Sequence, residues 1–259
     1  MNSEWLVPDW PVAERVNAVC TTRAGGTSLA PFDSLNLGEH VGDSTVSVAA
    51  NRALLQQAID ARPVFLSQVH GTHVAFLSGT VPAQTVADAC VTDRPRLACT
   101  IMVADCLPVL LTDQAGSAVA AAHAGWRGLA GQGGKGVLES LVSSFRSLRA
   151  RADKQPASQI IAWLGPCIGP SAFQVGGEVR QAFVAQDAAA GALFRRQAGD
   201  KWLADLQGLA RLRLAALGVA QVHGNDGSDS WCTVGNPSRY FSYRRDRVCG
   251  RMAACIWLD

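Results

Sequence analysis

The sequence predicts an α+β fold with mixed β-sheets, and three observations support this prediction. Residues 97–103, 109–112 and 159–164 form short, nearly continuous apolar runs, which are typical of strands buried on both faces. Apolar residues at helical spacing occupy only a few segments, of which 136–148 is the clearest. Strand-like runs often follow one another directly, whereas a regular doubly wound fold alternates strands with helices.

Short turns separate the predicted strands. Asp113-Gln114-Ala115-Gly116 is a turn signal between two β-prone runs, so we expect residues 109–112 and 117–123 to form a hairpin. His70-Gly71-Thr72 is a second turn signal, between two shorter runs. The remaining β-prone segments are 16–23, 64–69, 73–77, 219–223 and 247–257.

Three segments are predicted to be helices. Residues 136–148 place Val137, Leu141, Val142 and Phe145 on one face. Residues 177–186 form the second predicted helix. The third is indicated by an apolar stripe that Gly218 is well placed to end, and the stripe consists of Leu203, Leu206, Ala210, Leu214 and Leu217.

Composition indicates a soluble enzyme in a single domain spanning residues 1–259. The chain has no repeat and no convincing linker, and its most polar stretch, 149–158, is predicted to be a surface loop. Hydrophobic residues make up 48% of the chain, which is enough for a substantial core. A net charge of only +2 gives no electrostatic reason to expect nucleic acid or an anionic membrane as a partner.

The expected cellular location determines how the cysteines are interpreted. The N-terminal residues do not lead from a basic segment into an apolar run, and no apolar stretch is long enough to span a membrane, so we expect a cytoplasmic protein. Cysteines in a reducing compartment are expected to be free. Cys20, Cys99, Cys249 and Cys255 lie in apolar surroundings and are predicted to belong to the core. The absence of any Cys-x-x-Cys pair excludes a zinc ribbon.

His70, Cys106 and His123 are the candidate metal ligands and catalytic residues. Two imidazoles and a thiolate are a three-ligand set that catalytic zinc favours, because a fourth position stays open for water or substrate. These residues are far apart in the sequence, so only the fold could bring them together. The alternative is that they are three unrelated residues at strand ends.

The segments around these residues resemble the bacterial purine nucleoside phosphorylase family formerly called laccase-like or polyphenol oxidase. The resemblance covers nearly the whole chain, in the family's order. It is carried by Gln68-Val69-His70-Gly71, Ala104-Asp105-Cys106-Leu107-Pro108, His123-Ala124-Gly125-Trp126-Arg127-Gly128, Thr21–Ser28, Ser34–Gly38, Val41-Gly42-Asp43, Asn51-Arg52, Gly165–Gly169 and Phe241–Asp246.

The resemblance implies a layered α/β/β/α sandwich and a zinc ion bound by His70, Cys106 and His123. It also implies phosphate-dependent cleavage of purine nucleosides (adenosine, inosine or methylthioadenosine), with some adenosine deamination. Arg23, Arg52 and Arg127 lie in the matching segments. We predict that they bind substrate, because the fixed guanidinium fork suits inorganic phosphate.

Two other enzyme classes stay open. Copper could substitute for zinc and give polyphenol oxidase chemistry. A multicopper laccase, however, needs His-x-His motifs, and this chain has five histidines and no such motif. A second alternative is an amidase that edits peptidoglycan precursors. It would use either the metal or a Cys106–His123 dyad oriented by His70.

Several further features receive structural interpretations. Gly131-x-Gly133-x-x-Gly136 matches a dinucleotide motif, but no acidic residue follows the next strand, so at most a helix N-terminus that holds phosphate is expected. Asp105 is equally a partner for a ligand imidazole or a turn residue. Trp126 is predicted to fill the core. The C-terminal arginines, His40, His73 and His223 are predicted to lie outside the site, and these arginines are Arg244, Arg245, Arg247 and Arg251.

Overall fold

Two mixed β-sheets stack face to face in this computed structural model, which describes residues 3–79, 82, 84–151 and 158–259. The four-stranded sheet has the order β1-β13-β5-β2, with β1 Val16–Cys20, β2 Arg62–Val64, β5 Leu97–Val103 and β13 Met252–Leu258. The six-stranded sheet has the order β12-β8-β6-β7-β4-β3, with β3 Val74–Phe76, β4 Ala89–Thr92, β6 Leu107–Asp113, β7 Val119–Ala124, β8 Ile160–Leu164 and β12 Gln221–Gly224.

Helices cover the outer faces of both sheets. The helices are α1 Thr45–Ile59, α2 Trp126–Ala130, α3 Val137–Arg151, α4 Gly177–Val184, α5 Leu206–Ala216 and α6 Tyr243–Asp246. A small three-stranded sheet has the order β10-β11-β9, with β9 Gln174–Gly176, β10 Phe194–Arg196 and β11 Lys201–Ala204. Short 3-10 helices cover Glu39–Val41, Ala188–Leu193 and Asp229–Trp231.

The core has a layer between the sheets and a layer on each outer side, so the predicted α+β fold in an α/β/β/α sandwich is confirmed. Strand β6 shows why residues 107–111 are all apolar. Leu110 packs between the two sheets, whereas Val109 and Leu111 pack on the side of α3 and α5. Leu55 and Ile59 of α1 cover the other face of the four-stranded sheet. Successive strand residues point to opposite faces, so both faces must be apolar.

Most predicted elements are present with shifted bounds. Strands β6 and β7 form the predicted antiparallel hairpin, which pairs Leu107 with Ala124 and Thr112 with Val119. Gly218 has a φ of 76° and follows α5, where Val219 N donates to Leu214 O and Gly218 N to Ala215 O. These two bonds are the Schellman arrangement that ends a helix at glycine.

Some predictions about elements are wrong, and one helix was missed. Residues 247–251 precede β13 and are not strand, because a tight turn occupies Asp246–Val248. Leu203 belongs to β11 and not to the helix that follows it. The helix α1 was not predicted, because the buried polar Asn51 interrupts its apolar face of Val48, Leu55 and Ile59. The predicted surface loop 149–158 begins inside α3, and 152–157 lie outside the described residues.

The cysteine and membrane predictions can also be compared with the structure. Cys20, Cys99, Cys249 and Cys255 are buried and free, as predicted. Along the described part of the chain, no helix has the length and apolarity that a bilayer crossing requires.

Candidate metal centre

The three predicted ligands meet at one end of the stacked sheets. His70 lies in the loop between β2 and β3, Cys106 in the turn by which the chain passes from β5 to β6, and His123 near the end of β7. Because β5 and β6 belong to different sheets, the Cys106 turn crosses from one layer to the other. Within the described ranges, these residues are the one group of three whose ligand atoms could hold a metal, and those atoms lie within 4.8 Å of one another.

The spacing of the ligand atoms suits zinc. Cys106 Sγ lies 3.7 Å from His70 Nε2. Tetrahedral zinc, with a Zn–S distance of about 2.3 Å and a Zn–N distance of about 2.0–2.1 Å, places sulfur and nitrogen ligands about 3.6 Å apart. His123 is buried, Cys106 is half-buried and His70 is exposed, so the group has one open side. The donors therefore fit a zinc ion that keeps one position free.

Asp88 holds both histidines in place, and the sequence interpretation did not identify it. Its Oδ1 lies 2.9 Å from His123 Nδ1, which directs His123 Nε2 toward the other ligands. The same carboxylate accepts hydrogen bonds from the backbone N–H groups of Val69, His70 and Gly71. A carboxylate behind a ligating imidazole fixes the ring and its tautomer. An acidic residue between Ala87 and Ala89, in an otherwise apolar segment, is the signal that could have identified it.

Asp105 has a different function, which settles one open alternative. Its Oδ1 accepts a hydrogen bond from Thr233 Oγ1 at 2.5 Å and its Oδ2 from the Arg244 backbone N–H at 2.6 Å. Asp105 therefore positions the Cys106 turn and does not contact a ligand imidazole. His70 and Asp105 have φ values of 61° and 93°, which are unusual for residues with a side chain. Both ligand-bearing turns thus contain strained backbone, as functional sites often do.

Charges within the site favour a thiolate. Burial opposes ionisation of Cys106, but His123 and His70 outweigh it and lower the pKa of the thiol to about 6. Burial also opposes protonation of His123, but Cys106 and Asp88 outweigh it and raise the pKa of the imidazole to about 9. A thiolate that forms at neutral pH is the species that binds metal or acts as a nucleophile.

The metal group opens onto a cleft of about 620 Å³. One wall is apolar and includes Met102, Ile168, Phe173 and Leu206. Trp126 packs against the core, as predicted, and it also lines the cleft. The arginines of the cleft are Arg127, Arg244, Arg247 and Arg251, and His40 also lines it. The prediction that these residues lie away from the site is therefore wrong for His40 and for Arg244, Arg247 and Arg251, which α6 and the segment after it bring to the cleft. Arg245 does not line the cleft; it pairs with Asp246 and donates to Thr233 O.

The three arginines predicted to bind substrate lie in different places. Arg127 lines the cleft, and its guanidinium lies 4.6 Å from the ring centroid of Trp126. Arg52 lines a neighbouring pocket that shares His40 with the cleft, and it pairs with Glu39. Arg23 lines neither pocket. Its guanidinium pairs with Asp33 and donates to Pro237 O, which is a structural role in the loops.

The glycine motif at 131–136 forms the turn between α2 and α3. A Cβ at Gly136 would lie 2.2 Å from Leu129 O, so the close approach of two backbone segments requires glycine there. The Gly136 N–H, next to the first residue of α3, donates to Glu139 Oε2 at 2.7 Å. Because a carboxylate of the protein already occupies this end of α3, the suggestion that it holds phosphate is not supported.

Comparisons with known proteins agree with this fold and site. Residues 17–259 match the family described as multi-copper polyphenol oxidoreductase laccase. The chain is 51% identical over 258 residues to purine nucleoside phosphorylase YfiH of Escherichia coli K12, with 99% of each chain covered. It is 48% identical to a purine nucleoside phosphorylase of Pseudomonas aeruginosa, with 98% of each chain covered.

Solved structures show the same architecture. A Neisseria meningitidis protein superposes with a TM-score of 0.85 at 44% identity, covering 99% of this chain and 100% of that one. YlmD of Geobacillus stearothermophilus has a TM-score of 0.85 at 29% identity, covering 100% of this chain and 97% of that one. The chain therefore belongs to the multi-copper polyphenol oxidoreductase laccase family, in the branch of the YfiH-type purine nucleoside phosphorylases.

Proposed function

We propose that this protein is a zinc-dependent purine nucleoside phosphorylase. It would cleave adenosine, inosine or methylthioadenosine with inorganic phosphate. The observation that carries the proposal is a three-ligand metal group that opens onto a cleft with both an apolar wall and several arginines. Two of its relatives, at 51% and 48% identity over nearly the whole chain, are named purine nucleoside phosphorylases.

Phosphorolysis would require a different contribution from each part of the cleft. A phosphate oxygen forms a bond to the anomeric carbon of the sugar while the bond from that carbon to the purine nitrogen breaks. The electron pair and a proton go to the purine, and the products are free base and sugar 1-phosphate. The apolar wall, with Phe173 and Leu206, offers a surface for the flat base. The arginines would neutralise and orient the phosphate.

A zinc ion held by His70, Cys106 and His123 would supply a Lewis acid with one open position. Asp88 fixes the orientation of His123, and Asp105 fixes the turn that carries Cys106. Both Asp105 oxygens already accept hydrogen bonds, so we do not assign Asp105 to protonate the leaving purine. Adenosine deamination is proposed as a side activity in which water, and not phosphate, reacts at the amino-bearing carbon of the adenine ring, and the amino group leaves as ammonia.

The decisive experiment measures base release from adenosine, inosine and methylthioadenosine with and without phosphate. We expect phosphate-dependent release, a sugar 1-phosphate product and about one zinc per chain in protein purified without added metal. Cys106→Ala should lose both the metal and the activity, because two protein donors rarely retain a catalytic zinc. Cys255→Ala, which removes a buried cysteine from β13, is the matched control and should keep both. Equal base release without phosphate would exclude a phosphorylase.

One observation favours a second candidate, which is thiol-dependent amide hydrolysis. Cys106, His123 and Asp88 form a chain of nucleophile, base and orienting carboxylate, in which His123 Nδ1 lies 2.9 Å from Asp88. Asp88, and not His70, would then orient the base. Chelation separates the two candidates. A metal enzyme loses activity with a chelator and regains it with zinc, whereas a thiol amidase is unaffected by chelation and is inactivated by alkylation.

A further inference from the structure

The C-terminal arginines gather around a single aromatic ring at the cleft. The guanidinium carbons of Arg247 and Arg251 lie 6.0 and 5.9 Å from the centroid of Tyr243, which is half exposed. All three residues line the cleft that contains the metal group. Two cations on one ring give a concentrated positive charge beside the candidate reaction centre.

Among the described residues, no acidic group of the cleft is free to neutralise this charge. Asp105 is the one carboxylate among the described residues that line the cleft, and Thr233 and the Arg244 backbone already occupy its oxygens. The Arg247 guanidinium makes no hydrogen bond or ion pair with a described residue. Arg251 Nη1 donates only to backbone carbonyls, those of Cys249 and Gly250, and to the Cys249 sulfur. Excess cationic charge beside an apolar wall favours an anionic ligand.

The backbone at Arg247 is strained in a way that surface solubility does not require. Its φ is 63° and its ψ is −54°, and Val248 N donates to Asp246 O at 2.7 Å across it. These values are those of the rare γ-turn with a positive φ, and Arg247 is its central residue. Such strain typically persists where the surrounding structure holds it in place at a functional site.

Arg251 is placed by a buried polar network from the N-terminal part of the chain. Its backbone N–H donates to Asn36 Oδ1, and its stem passes Gly38 so closely that a Cβ there would lie 2.8 Å from Arg251 Cγ. Asn51, which is fully buried, donates in turn to Asn36 O and Ser34 O. The segments 34–38 and 51–52 therefore support a cleft residue that is far away in the sequence.

We propose that Arg247 and Arg251, gathered around Tyr243, form the binding subsite for the orthophosphate dianion. The inference rests on the proposed phosphorolysis. It assigns phosphate to Arg247 and Arg251 and not to the arginines predicted from the sequence. Arg23 lies outside the cleft, and Arg127 lies beside Trp126, where the apolar surface suits a base. Planar guanidinium groups with unused N–H donors match the tetrahedral oxygens of phosphate.

The test uses inorganic phosphate itself and two readouts. Calorimetry measures phosphate binding to the zinc-loaded protein without nucleoside, and steady-state kinetics measure the separate KM values for phosphate and nucleoside. Arg247→Ala and Arg251→Ala should each weaken phosphate binding and raise its KM roughly 10- to 100-fold, as expected for a lost charge-assisted contact. The nucleoside KM should change less than about threefold, a shift of under 1 kcal/mol.

Three further variants sharpen the result. Arg195→Ala removes an exposed arginine on β10, outside the cleft, and should leave both KM values unchanged. Gly38→Ala keeps every charge but pushes on the Arg251 stem, so it should raise the phosphate KM by a smaller factor. Arg247→Lys keeps the charge without the planar fork and should restore only part of the binding.

The outcomes separate this inference from the proposed function. Phosphate-dependent cleavage with an unchanged phosphate KM in Arg247→Ala and Arg251→Ala would overturn the subsite and leave the phosphorylase intact. Selective loss of phosphate binding in Arg127→Ala would likewise overturn it and place phosphate beside Trp126. Conversely, phosphate binding that depends on Arg247 and Arg251 in a protein without phosphorolysis would support the subsite and reject the phosphorylase.

Discussion

Replacing Asp88 by asparagine should weaken the metal centre while keeping the size of the side chain. Oδ1 of Asp88 accepts from His70 N and lies against His123 Nδ1, both at 2.9 Å. Oδ2 accepts from Val69 N at 3.2 Å and from Gly71 N at 2.7 Å. In Asp88→Asn one of these oxygens becomes an NH₂ group that faces two N–H donors. Two hydrogen bonds to a charged acceptor are then lost, at about 1.5–3 kcal/mol each.

The expected effect on metal binding is a 10- to 100-fold weaker zinc affinity, which is typical when the partner of a ligating histidine is changed. Competition with a chromophoric chelator measures this affinity, and urea unfolding of the metal-free protein measures the stability. Asp113→Asn is the matched control. Asp113 is also fully buried and accepts from Ser117 and Arg149, but it lies at the far end of β6. That variant should lose stability and keep the zinc affinity of the wild type.

The stability difference between wild type and Asp88→Asn should depend on pH. Burial opposes ionisation of Asp88, but the His123 hydrogen bond, the Gly71 N–H, the His123 charge and the Val69 N–H outweigh it and lower the pKa of the carboxyl. A lowered pKa in the folded state gives stability that is present above the unfolded value of about 3.9 and lost as the pH falls through the folded value. The two proteins should therefore converge in strong acid. Wild-type zinc affinity in Asp88→Asn at neutral pH would refute this account of Asp88.

Two other perturbations test the geometry of the site. Gly125→Ala would place a Cβ 2.8 Å from His70 Cδ2 and 2.9 Å from Cys106 Sγ, so it should lower the metal content on elemental analysis. Gly235→Ala, whose Cβ would meet nothing closer than 3.8 Å, should not, and equal metal content in both variants would contradict the geometry. In chelator-treated protein, alkylation of Cys106 should rise with a midpoint near pH 6, where its pKa lies, and zinc should slow it. A midpoint near that of an ordinary thiol would show that the imidazoles do not stabilise the thiolate.

Much of the fold could be predicted because its strands are apolar on both faces. Strands β5, β6 and β8 lie inside a four-layer sandwich, and their nearly continuous apolar runs reflect that position. Helix α1 was missed because Asn51 and its partners form a buried polar network on the face that would otherwise carry the apolar signal. Periodicity detects burial of apolar residues, and it does not detect buried residues that are polar.

The metal ligands of the candidate site could be predicted from the sequence. The residues that hold those ligands in place or complete the cleft could not. His70, Cys106 and His123 are recognisable because their side chains have metal chemistry in any context. Asp88 stands out in the sequence only as an acid within an apolar segment, and its role becomes clear only once the structure shows His123 beside it. Arg247 and Arg251 resemble ordinary surface cations in the sequence, and it is the γ-turn and the Asn36 network that bring them to the cleft.

The two buried carboxylates at the site link its parts into one unit. Asp88 joins the loop that carries His70 to the imidazole of His123. Asp105 joins the turn that carries Cys106 to the backbone of Arg244, and thus to the helix that precedes the proposed phosphate subsite. A shift of the Cys106 turn would therefore be transmitted to α6 through one charge-assisted hydrogen bond. The two ligand-bearing turns, which contain the strained residues His70 and Asp105, are thus both tied down by carboxylate contacts. The strain is held where the metal ligands and the cationic wall of the cleft must keep a fixed relative position.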